Sequence, residues 1–194
     1  MLTVGICLFD EVEVLDFAGP FEVFSLAENE QGEKLFNVIV ISQNNVIKAR
    51  NGLTVLADYN LTNHPKIDVL VIPGGYGAEQ IEIHNTVLLE WIKQQSNQVS
   101  ILLSICTGVF LLAKIGLLDN LKATTHWMDV AQIQKDYPKI EVVTNQRYVD
   151  NGKIITSGGI SSGIHASLYT VAKLSKIAMA NETAKRMEFD FYLD

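Results

Sequence analysis

The chain has 194 residues, 48% hydrophobic and 19% charged, a composition that excludes a disordered chain and suits one sizeable core. Fifteen Lys and Arg stand against 22 Asp and Glu, a formal net charge of −7, and the basic residues are scattered singly. No phosphate-backbone footprint is present, so nucleic acid is not an expected partner and a small-molecule substrate is.

The opening "MLTVGICLFDEVEVLDFAGP" has no basic region and meets acidic residues by Asp10, so Leu2–Leu8 predicts a buried first strand, not a signal peptide. Pro20 can occupy a first helical turn, and the pattern after it predicts a helix over Phe21–Asn29. Phe36–Ile41 and Val69–Ile72 are further apolar runs of the kind found in buried parallel strands. Between them "ARNGLTV" carries Asn51-Gly52, a two-residue hairpin signal, because both positions accept positive φ. Thr86–Gln95 places Val87, Leu88, Trp91 and Ile92 on one helical stripe. Val99–Ile105 predicts a strand far too short to span a bilayer, so no membrane partner is expected. Ile140–Val143 predicts another strand, and "VDNGKII" a second hairpin at Asn151-Gly152. Helices are predicted over Ala166–Ile177 and Glu182–Phe189. Strands alternating with helices indicate one α/β domain over residues 1–194: a three-layer sandwich whose mostly parallel central sheet is flanked by helices.

Chemistry gathers at "SICTGVFLLAK". With Val99–Ile105 a strand and Gly108–Lys114 a helix, Cys106 stands at the carboxyl end of the strand, where open α/β sheets bind ligands. A helix amino terminus favours thiolate over thiol, and a sharp strand-to-helix turn projects a nucleophile. A packed structural cysteine is the bland alternative. Cys7, inside the first strand, reads as packing. Two cysteines are too few for a disulfide framework, and the cytoplasm is the simplest location.

"VLVIPGGYGAEQ" could bring backbone N–H groups of Gly74, Gly75 and Gly77 toward the cysteine, as an anion developing during attack requires. Among the acids of "FDEVEVLDFAGPFEVF", Asp16 lies between Leu15 and Phe17, where partial desolvation suits a carboxyl that holds or donates a proton. In "KATTHWMD", Thr124 and Thr125 could cap a helix. His126 is either a thiol's base or a packing residue beside Trp127. "TSGGISSGIHASLYTVA" reads as a loop and cap before a helix containing His165.

Together "LFDEVEVLDFAGPFEVF", "DVLVIPGGYG", "SICTGVFLLAKIGLLDNLKATTHW" and "ITSGGISSGI" resemble the ThiJ/PfpI superfamily, over nearly the whole chain. The resemblance implies a flavodoxin-like, class I glutamine amidotransferase-like fold, commonly a homodimer, needing no cofactor or metal. It implies Cys106 as nucleophile, with backbone of the Gly75 region and of Thr107 facing substrate. Within the superfamily the details look most like isonitrile hydratases, which use an aspartate at the position of Asp16. They also look like the amidotransferase-like domain of AraC-type regulators, whose helix-turn-helix domain is not expected here. Thr107 stands where the protease branch has a histidine, so peptidase activity is not implied. His165 replaces an aspartate usual in hydratase-like members and is expected to affect the pocket. The implied catalytic residues are Cys106 and Asp16, with Gly75, Thr107 and His126 binding substrate. The alternatives are a glyoxalase or deglycase acting on α-oxoaldehydes, and a redox-sensing module without turnover.

Overall fold

The structure is a computed structural model in which residues 1–193 are described. In chain order the elements are β1 (Leu2–Leu8), α1 (Val14–Leu26), β2 (Phe36–Ser42), β3 (Val46–Lys48), β4 (Thr54–Leu56), β5 (Val69–Ile72), α2 (Thr86–Gln98) and β6 (Ile101–Ile105). There follow α3 (Val109–Lys114), β7 (Lys122–Ala123), α4 (Val130–Asp136), β8 (Glu141–Val142), β9 (Tyr148–Asp150), β10 (Ile154–Ser157), α5 (Ser161–Leu174) and α6 (Ile177–Arg186).

The main sheet runs β2-β1-β5-β6-β10-β9, parallel throughout except for β9, which pairs antiparallel with β10 at the edge. Every residue of β5 and β6 is buried, as expected for central strands with helices on both faces. On one side α1 packs against α5 and α6; α2 packs against α3. The α/β sandwich read from the sequence is therefore the fold. The chain leaves β1 for β2 on one side and returns to β5 on the other, a reversal that opens a crevice at the carboxyl edge.

Several boundaries differ from expectation. The first helix begins at Val14, so Pro20 is interior to it and has no N–H to give the Asp16 carbonyl. That shift makes Asp16 a first-turn helical residue. Val142 and its neighbour Glu141 join a separate two-stranded sheet with β7, because β10 takes the place beside β6. α5 starts at Ser161, and α6 ends at Arg186, short of Phe189. Both Asn-Gly pairs do sit between antiparallel strands. The loop between β3 and β4 has five residues, with positive φ at Asn51 and Gly52; between β9 and β10 only Gly152 has it.

Candidate active site

Four neighbouring strands deliver the site. β1 leads into α1 and Asp16, β5 into Pro73–Gly75, β6 into Cys106, and β10 into Gly158–Ile160. All lie at the carboxyl edge of the sheet, where ligands of open α/β folds bind.

Cys106 adopts φ +54°, a conformation that costs an L-residue energy and persists only when its surroundings enforce it. Its N–H donates to the Gly158 carbonyl at 3.2 Å, and its carbonyl accepts from the Thr125 hydroxyl at 2.9 Å. Thr125 thus braces the elbow instead of capping a helix, and the Thr124 N–H donates to the Thr156 hydroxyl at 3.0 Å. A short 3₁₀ turn over Cys106–Gly108 then opens α3.

Asp16 is fully buried. One carboxylate oxygen accepts the Gly74 N–H at 3.1 Å, the other the Ile160 N–H at 3.0 Å. Burial pushes its pKa up to about 6, while those two bonds and the Cys106 thiol hold it back. Ile160, a β-branched residue, has φ +51° and ψ −100°, far outside its comfortable range. The strained turn points its N–H at Asp16.

The thiol differs from expectation. Burial first and the Asp16 charge second push the Cys106 pKa well above its ordinary value, and the Thr107 N–H alone opposes them. One backbone donor thus stands against a buried carboxylate at the sulfur, surroundings that favour the thiol over the thiolate. Cys7 is fully buried in β1, and burial likewise raises its pKa.

Thr107 and Gly75 come together, but on each other. The Gly75 N–H donates to Thr107 Oγ1 at 2.9 Å, and the Gly74 N–H is committed to Asp16, so neither glycine N–H is free as an oxyanion donor. Close approach explains the first glycine: a Cβ at Gly74 would lie 2.5 Å from Thr107 N and 2.9 Å from Cys106 Cβ. The Thr107 hydroxyl also reaches Glu79, a half-buried acid raised mainly by burial.

Beside this group lies a cavity of about 690 Å³, with His126, Trp127, Arg147, Gly159, Ile160 and Ser162 in its wall. Gly159 is a wall residue beside the Cys106 sulfur. A Cβ there would come within 2.3 Å of the His126 ring and 3.2 Å of Cys106 Sγ. His126 Nδ1 is 3.3 Å from Asp129 Oδ2, and Trp127 is 78% exposed at the rim. His165 is not in that wall. It lies buried in α5, its ring 4.9 Å from Phe191 and 6.0 Å from Tyr148.

Sequence reasoning missed Glu79, Asp129, Gly159 and Ile160. "ITSGGISSGI" marked the loop carrying two of them, but nothing local distinguished a strained N–H donor from an ordinary cap.

The profile of the DJ-1/PfpI family matches residues 2–173. Isonitrile hydratase of Pseudomonas putida is 28% identical over 97% of this chain and 78% of its own. The HTH-type transcriptional regulator GbdR of Pseudomonas aeruginosa is 27% identical over 81% of this chain, which spans only 42% of that regulator. Among solved structures, a ThiJ/PfpI family protein from Pseudomonas syringae superposes with a TM-score of 0.85 at 22% identity, covering 97% of this chain and 75% of that one. DJ-1beta of Drosophila melanogaster gives 0.83 at 21%, covering 97% and 98%. No helix among the described residues is long and apolar enough to cross a membrane.

Proposed function

The chain belongs to the DJ-1/PfpI family, and we propose that it is a cysteine-dependent small-molecule enzyme of isonitrile hydratase type. The observation that carries this reading is the couple of Cys106, at a strained elbow, with the buried carboxylate of Asp16. Similarity to the hydratase of Pseudomonas putida supplies the substrate class.

The chemistry balances with water as the only co-reactant. As the Cys106 sulfur bonds to the terminal carbon of R–N≡C, its proton passes to Asp16 and from there to that carbon. The product is a thioimidate, R–N=CH–S–Cys. Water then adds to the same carbon, the C–S bond breaks, the nitrogen gains a proton and the sulfur regains its own. The net reaction converts R–NC and water to R–NH–CHO. Asp16 suits both transfers, because a pKa of about 6 lets it accept and return a proton near neutrality. The Thr107 N–H, directed at the sulfur, stabilises negative charge there during attack.

Incubating purified protein with a panel of isonitriles and with methylglyoxal tests this reading. Formamide that disappears in Cys106→Ala supports it. Methylglyoxal consumption that needs Cys106, with no formamide, would replace it with an α-oxoaldehyde activity. Neither product would favour a sensing role. Resemblance to the superfamily also leads us to propose a homodimer, and a monomer mass by light scattering at micromolar protein would count against it.

A further inference from the structure

We propose that the cavity beside Cys106 takes an electrophile carrying a carboxylate, which binds Arg147 while the reactive carbon reaches the sulfur. This deepens the reading of Cys106 as nucleophile and rests on it.

Sheet geometry sets the separation. The Cys106 N–H donates to Gly158 O at 3.2 Å, and the Gly158 N–H donates to Arg147 O at 2.9 Å. The three residues therefore sit side by side across the carboxyl edge, two strand spacings or roughly 10 Å from first to last. Both Arg147 and Gly159, at which an added Cβ would stand 3.2 Å from Cys106 Sγ, line the same cavity. A ligand can span it.

Charge sets the orientation. The Arg147 side chain has only a 3.5 Å contact to the Tyr192 hydroxyl, whose ring centre lies 5.8 Å away, and no carboxylate partner among the described residues. The other basic side chain of the wall, His126, already faces Asp129. At the sulfur end the charges are negative: Asp16 and Asp129 both act on the thiol, and Glu79 reaches its neighbour Thr107. An anion is repelled there and attracted at Arg147. A single guanidinium matches one carboxylate in two parallel hydrogen bonds and balances its single charge, whereas a phosphate dianion would keep one charge uncompensated. The hydroxyls of Ser161 and Ser162, and the amides of Asn145 and Gln146, complete a polar wall suited to a short linker.

Alkylation of Cys106 tests this without relying on isonitrile turnover. The reagents are iodoacetate, iodoacetyl-glycine and iodoacetyl-γ-aminobutyrate, each against its own amide, with labelling read by peptide mass. The sulfur displaces iodide and its proton passes to Asp16. The longer carboxylates should outrun their amides by about tenfold, the scale of one charge-assisted hydrogen bond. Iodoacetate itself should be slower than iodoacetamide, since its charge is held at the acidic end. Arg147→Met should erase the advantage of the long carboxylates, and Arg147→Lys should keep part of it. Equal rates for acids and amides, an advantage surviving Arg147→Met, or no labelling of Cys106 by any reagent would each overturn the proposal. A phosphonate analogue faster than the carboxylate would overturn its choice of anion. If isonitriles prove not to be substrates while the Arg147-dependent preference holds, the chemistry assigned to the site fails and this inference stands.

Discussion

Asp16 is held by N–H groups from residues 58 and 144 positions away in sequence, which makes it the residue where the site closes. Its burial was legible in part, from its place between the apolar Leu15 and Phe17, although Leu15 itself is exposed. Its two donors were not, since no local pattern reports a contact across that distance. The elevated thiol was hidden for the same reason: a helix start can be read from sequence, a buried carboxylate facing it cannot. The pH dependence follows with a definite sign. Burial raises the Asp16 pKa, so the base form that takes the thiol proton is present above about pH 6 and lost below it. Turnover and Cys106 alkylation should both fall as pH drops through about 6, with Cys7 unlabelled throughout. Asp16→Asn should remove that limb and slow turnover by ~10²–10⁴-fold. An unchanged pH profile in this variant would refute the role. The amide also turns an NH₂ toward either Gly74 or Ile160, leaving one backbone donor unpaired, so some loss of ligand affinity should accompany the slower rate.

At the scale of elements, most strands could be read because buried parallel strands are continuous apolar runs, as in β1, β5 and β6. The helix start at Val14 could not, because Pro20 argues locally for a boundary that tertiary packing of α1 against α5 overrides. The loop from β10 to α5 shows the same limit. Ser161 and Ser162 announce a helix start, while the contacts to Asp16, His126 and Cys106 are made at Gly159 and Ile160 before it. Gly159 has no side chain because the His126 ring and the sulfur occupy the space. Gly159→Ala should therefore lower kcat/KM by at least about tenfold, since displacing reacting groups even slightly is costly. The melting temperature should change little, as His126 can swing toward the cavity. Wild-type kcat/KM in this variant would show that the cavity is not the route to the nucleophile.

For the molecule as a whole, composition and alternating elements sufficed for the sandwich, but strand order did not follow from them. Each parallel neighbour is reached by a crossover, and only packing decides that β10, from the end of the chain, inserts beside β6 while β8 is diverted to a small sheet. That insertion makes the site, for it carries Gly158 to Cys106 and Ile160 to Asp16. The strained residues at both strand ends must be held by the centre of the sheet. Leu102 is the residue to test, being fully buried in β6 and in register with both Leu70 of β5 and Ile154 of β10. Leu102→Ala should cost about 2–5 kcal/mol through lost burial and the cavity left behind. Against a total of about 5–15 kcal/mol, that is a large share of the stability of the fold. The urea midpoint should fall with its slope unchanged, because the surface exposed on unfolding is nearly the same. A fall in slope would instead mean that the β10 side opens separately from the rest. In that case activity should be lost at a lower urea concentration than the helical signal, because the Gly158–Cys106 and Ile160–Asp16 bonds would break first.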